Sequence, residues 1–235
     1  MTRVRTIAVC LALTGILIVG MGVRRVEDRT LPAANQYRQR PKVIVDAGHG
    51  GFDCGAVGIN GVVEKGINLA ISQDLGACLE WCGFQVLYTR TTDDDTSDQG
   101  LSTTREKKTS DLYNRLDLME ENADGVVVSI HQNKFEDPSC WGAQVFYGTQ
   151  QQEASSRLAE IIRGNIRLLL QPENEREIKA AYDTLFLLNN APQTIVMVEC
   201  GFVSNPREAS LLSTPDYQQQ IAFAIALSLL QFSQS

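Results

Sequence analysis

Three short runs dense in branched aliphatic residues, at 42–47, 126–130 and 194–198, are separated by much longer stretches with helical periodicity. This alternation restricts the fold more than any other feature. Such runs read as strands buried on both faces, and strands of that kind belong to largely parallel sheets covered by helices. Apolar residues at helical spacing predict a helix over 67–81, through Ile67, Ile71, Leu75 and Cys78, and another over 111–121, through Leu112, Leu116 and Met119. A long amphipathic helix is predicted over 153–170 and a last one over 217–232, with further strands over 85–89, 143–147 and 185–188. Residues 91–110 read as a polar loop. The expected fold class is α/β: a single domain with a mostly parallel or mixed twisted sheet of about six strands, flanked by helices on both faces. A chain of 235 residues suits one such core with a short appendage.

The appendage is amino-terminal. Arg3 and Arg5 precede an uncharged run over 6–23, and Arg24 and Arg25 follow it at once. The run has about the minimum length for a membrane-spanning helix, so 1–23 reads as a signal anchor, or otherwise a signal peptide, and 24–41 as a basic linker. Residues 42–235 form the folded domain. Its formal charge contributes to a chain total of −7, with no Lys/Arg cluster in the body, which excludes nucleic acid as a partner. Of six cysteines, Cys10 lies in the apolar run, so the five that remain cannot all pair within the chain; most read as small buried apolar residues.

Only two histidines occur, His49 in Val45-Asp46-Ala47-Gly48-His49-Gly50-Gly51 and His131 in Ser129-Ile130-His131-Gln132-Asn133. His49 follows the first strand, His131 ends the strand at 126–130, and Glu199 ends the strand at 194–198, so all three fall at carboxyl ends, where open α/β sheets bind ligands. A catalytic zinc ordinarily has three protein ligands and one open position for water. Glu64, at the start of the helix around Ile67, is the candidate third ligand, which leaves Glu199 as the acid/base. Plainer roles remain open at this point: His49 as a helix cap or anion holder, His131 as a hydrogen-bonded strand-end histidine, Glu64 as a helix-dipole partner and Glu199 as a solvated carboxylate.

The segments around His49 and His131, together with Val63-Glu64-Lys65 and Val198-Glu199-Cys200-Gly201-Phe202-Val203-Ser204-Asn205-Pro206, follow the order and setting found in the zinc-dependent N-acetylmuramoyl-L-alanine amidases, which the chain resembles from residue 42 to about 232. The likeness is greatest to the spore-specific members. It implies Zn2+ held by His49, Glu64 and His131, with Glu199 as the catalytic acid/base. It further implies hydrolysis of the amide between the lactyl group of N-acetylmuramic acid and the L-alanine of the stem peptide in peptidoglycan, serving muramic-lactam formation in spore cortex. A co-acting protein, such as a peptidoglycan deacetylase, belongs to that expectation, as does export to face the cell wall or the forespore intermembrane space. Asn133 and Lys179 are the expected substrate-binding residues.

Departures from the family pattern are few. Ala47 stands where proline is usual, and Cys54 where glycine or proline is common. Two rival readings are a carboxypeptidase-like zinc enzyme of the wall and an inactive membrane-tethered wall-binding module. The His-x-x-Glu signature of the first is absent, and a binder has no need of a general base such as Glu199.

Overall fold

The computed structural model describes residues 42–235, so the expected membrane segment at 1–23 and linker at 24–41 lie outside the described residues. In chain order the elements are β1 (Val43–Ala47), α1 (Glu64–Trp81), β2 (Val86–Tyr88), α2 (Thr104–Glu121), β3 (Val126–Asn133), β4 (Gln144–Tyr147), α3 (Gln152–Leu169), β5 (Lys179–Ala180), α4 (Phe186–Asn190), β6 (Ile195–Phe202), α5 (Pro206–Leu212) and α6 (Pro215–Phe232). They build a six-stranded sheet in the order β2-β1-β3-β6-β4-β5. Strands β1, β2, β3 and β6 are mutually parallel, while β4 runs antiparallel to β6 and pairs in parallel with β5. The α/β class, mixed sheet and strand number agree with the sequence.

Strand alternation divides the core in two. Val43, Val45, Val128, Ile130, Val196 and Val198 face α1, α3 and α6, packing on Ile71, Leu75, Leu158, Ile162, Ile221 and Ile225. Ile44, Val127, Ile195 and Met197 face the other way, onto Leu116 and Met119 of α2 and Leu187 and Leu188 of α4. Helices therefore cover both faces. Among the described residues, no helix is long and apolar enough to cross a membrane.

Several boundaries differ from the sequence reading. The expected strand at 185–188 is the helix α4: its leucines lack the β-branching that favours a pleated surface, and they close over Met197 and Ile195 rather than joining the sheet. The expected loop at 91–110 ends early, because Thr103 and Glu106 form a reciprocal capping box that starts α2 at Thr104. Helix α1 begins at Glu64 rather than 67. The short helix α5 was not foreseen; Asn205 caps it by accepting from the N–H groups of Arg207 and Glu208, and Pro206 takes its first position. The strands β3 and β6 continue past their apolar runs, to Asn133 and Phe202. This last difference matters most for function, since it places His131 and Glu199 on paired strands instead of in loops.

Candidate metal centre

The parallel strands β1, β3 and β6 end at one rim, and antiparallel β4 begins there with Gln144. His49 lies just beyond β1 with φ at 62°, a left-handed conformation that turns the chain back over the sheet. Its carbonyl accepts from Nη2 of Arg115 at 2.7 Å, and its Nδ1 lies 2.9 Å from Oδ2 of Asp53. With Nδ1 so engaged, Nε2 is directed at Oε1 of Glu64, 3.3 Å away. Gly48 leaves room for the His131 ring: a Cβ there would lie 2.2 Å from Nε2 of His131.

Glu64 opens α1 and is 3 % exposed. Its Oε2 accepts from the Ala56 N–H at 2.6 Å, while Oε1 accepts from the Gln132 N–H at 3.0 Å and from Nδ2 of Asn68 at 3.2 Å. His131 brings its Nδ1 to 3.0 Å from the same Oε1. The two imidazoles stand edge to face, 4.9 Å between centroids. One ligand atom from each of His49, Glu64 and His131 falls within 4.8 Å of the others, which makes this trio able to hold a metal ion. Burial would push the Glu64 carboxyl up, but the two imidazoles outweigh it and hold the group well below the usual range. Burial likewise pulls His49 down, yet Asp53 and Glu64 together raise it to about 9.

Glu199 sits beside the trio by register. It is the partner of His131 on β3 and of Gln144 on β4. Its Oε2 is buried and has no hydrogen-bond partner, a costly state for a carboxylate. Burial, reinforced by the charge of Glu64 and opposed by His131 and His49, raises its pKa to about 7. Cys200, the next residue, points into the core on the opposite face, as strand alternation requires.

Beneath these residues lies a buried ionic floor. Nη1 of Arg115 donates to Oδ1 of Asp46 at 2.6 Å and to the Ala47 carbonyl at 2.9 Å, and Nε donates to Asp111 at 2.9 Å. Asp46 also accepts from Ser129 at 2.5 Å and Thr89 at 2.8 Å. A cleft of about 190 Å³ opens above, lined by Gly48, His49, Asp53, Lys108, Leu112 and His131.

The structure thus brings together His49, Glu64, His131 and Glu199. It leaves Asn133 at the end of β3, beyond a register shift, and Lys179 exposed on the edge strand β5, two strands from β6. Cys54 is an exposed thiol outside the trio. Asp53, Asn68, Arg115 and Lys108, whose Nζ lies 3.1 Å from Asp53, also belong to the site, although none of them stands out in the sequence. Two of them carry a signal only in their spacing: Asp53 is four residues after His49, and Asn68 is one helical turn after Glu64.

Comparison with known proteins gives concordant matches. The family model described as N-acetylmuramoyl-L-alanine amidase matches residues 43–231. The germination-specific N-acetylmuramoyl-L-alanine amidase of Bacillus subtilis is 32% identical over 190 residues, covering 81% of this chain and 78% of that protein. The structure of the CwlD amidase from Clostridioides difficile, solved in complex with the GerS lipoprotein, superposes with a TM-score of 0.79 at 36% identity, covering 82% of this chain and 98% of the other. The AmiC2 amidase of Nostoc punctiforme gives 0.71 at 29% identity, with 83% and 98% covered.

Proposed function

Because this chain belongs to the N-acetylmuramoyl-L-alanine amidase family, we propose that His49, Glu64 and His131 hold a zinc ion and that Glu199 moves the protons of the hydrolysis. The reaction cleaves the amide between the lactyl group of N-acetylmuramic acid and the L-alanine of the stem peptide. Two imidazole nitrogens and one carboxylate oxygen suit zinc and leave a position open for water or substrate. When bound, zinc supplies a Lewis acid for the carbonyl and brings the pKa of a water towards ~7.

The protein's own groups do the rest. Asp53 fixes the orientation of His49 by engaging Nδ1, and the Ala56, Gln132 and Asn68 donors fix Glu64. Glu199, with a pKa near 7 and a free buried oxygen, takes a proton from the attacking water and delivers it to the leaving amine of L-alanine. That unpartnered oxygen beside the trio is the observation that carries the assignment.

We place the enzyme outside the cytoplasm, where peptidoglycan lies, and in spore cortex, where removal of the peptide frees muramic acid for lactam formation with a deacetylase. Likeness to the germination-specific amidase and to an amidase captured with a lipoprotein supports this setting and a protein partner. Mass spectrometry of peptidoglycan digested by the full chain tests the reaction. Intact stem peptides beginning at L-alanine are expected; their release should stop on chelation and resume on adding zinc. Products cut within the stem instead would replace the amidase reading with the carboxypeptidase one.

A further inference from the structure

A second cavity, of about 480 Å³, opens at the same rim on the other side of the sheet. Trp141 lines it from the connection between β3 and β4, Leu170 and Gln171 from just after α3, Arg207 from α5 and Tyr217 from the first turn of α6. Resting on the amidase reading, we propose that this cavity is a subsite for a neutral N-acetylated sugar of the glycan strand, next to the muramic acid whose amide is cut.

The walls are built rather than incidental. Gly142, next to Trp141, donates its N–H to both oxygens of the buried Glu208 at 3.1 Å, and the Phe202 N–H donates to the same carboxylate at 2.8 Å. Nε of Arg176 donates to the Trp141 carbonyl at 2.7 Å, with its guanidinium 4.6 Å from the Phe202 ring. Nε2 of Gln171 donates to the Tyr217 hydroxyl at 2.9 Å. Trp141 is therefore pinned by its backbone while its indole remains 38 % exposed.

The chemistry fits a sugar. A pyranose has apolar C–H faces that pack on an indole and a rim of hydroxyl and acetamido groups that need donors and acceptors, so an aromatic wall beside a few fixed polar groups is the complement. Among the lining residues one cation, Arg207, stands with two carboxylates, Glu173 and Glu208, a balance that does not favour an anionic ligand. The spacing fits as well. Trp141 is three residues before Gln144, at most about 11 Å along an extended chain, and Gln144 pairs with Glu199 one strand spacing away, about 4.8 Å. A substrate joining sugar to peptide has two arms, and the rim offers two recesses. The cleft over His49 opens between α2 and α4, whereas this cavity opens among the helices of the opposite face.

The chain contains two tryptophans, and Trp81 is 90 % exposed on α1, so Trp81→Phe leaves Trp141 as the only indole emitter. In that full-length background, titration with N-acetylglucosamine tetramers should change the emission saturably, and Arg207→Ala should weaken the binding at least fivefold. Absence of a saturable change, or a response to stem peptide alone, would overturn the proposal. This arm needs no catalysis, so it stands apart from any failure of the amidase reading. In the second arm, Trp141→Ala should raise KM at least tenfold more on long glycan strands than on a single muramoyl-peptide. Equal effects on the two substrates would sink the idea.

Discussion

Glu199 keeps an oxygen buried without a partner, and natural chains seldom leave a carboxylate in that state unless something is to arrive there. Replacing it by Gln preserves shape and removes the proton carrier, so Glu199→Gln is expected to lower kcat by about 10²- to 10⁴-fold while the zinc content of the purified protein stays the same. Equal loss of zinc and activity would show that Glu199 is a ligand instead. Asp53 acts one bond further out. Its contact at 2.9 Å sets which nitrogen of His49 faces Glu64, and Asp53→Ala should weaken zinc binding by about 10- to 100-fold in competition with a chromophoric chelator. Of these two residues only Glu199 was legible in the sequence, because it closes an apolar run. Asp53 looked like one more polar turn residue, and its spacing from His49 gains meaning only once the left-handed backbone at His49 folds the turn back on itself.

Helix α2 anchors the site through one side chain. Arg115 is 2 % exposed and ties α2 to Asp46 on β1 and to the carbonyls of Ala47 and His49. Removing it takes the hydrogen-bonded guanidinium from two buried carboxylates, Asp46 and Asp111. Arg115→Ala should therefore cost about 3–5 kcal/mol of unfolding free energy in denaturant titration; a loss below about 1 kcal/mol, the scale of an exposed pair, would show that the network is peripheral. The sequence showed α2 only from 111, where its leucines begin, because the first turn is polar throughout and is set by capping, not by apolar spacing. Helix α4 failed for the converse reason: four apolar residues in a row give no period, and only the neighbouring strands decide whether they pair or cover. Long elements with clear periodicity, such as α1 and α3, have nearly the limits their spacing predicts, as does the short apolar run of β1.

At the scale of the whole molecule, the buried ionic floor couples folding to pH. Burial raises the Asp46 carboxyl, but Arg115, Ser129 and Thr89 outweigh it and bring its pKa to about 2. A folded-state pKa below the unfolded value means stability that is present above about pH 4 and disappears as pH falls towards 2, an amount of about 2 kcal/mol for this group. Chelator-treated protein, unfolded by denaturant at pH 7, 4 and 2.5, should show the loss, and Asp46→Asn should flatten that part of the profile. An unchanged slope in the variant would assign the acid sensitivity elsewhere. The overall architecture followed from sequence because alternating apolar runs and helical periods leave few sheet topologies open, and the place of His49, His131 and Glu199 at strand ends put them on one rim; which of them touch depends on strand order and register, which no local pattern encodes. That register has a consequence for error. Glu199 and Cys200 occupy opposite faces of one strand, so a slip of β6 by a single residue that brings Cys200 opposite His131 would turn Glu199 to the core face now held by Val198: a thiol would stand where the acid belongs. Activity in this protein is thus written as the parity of a strand, and a misregistered copy would pass for native by its secondary structure while remaining silent as an enzyme.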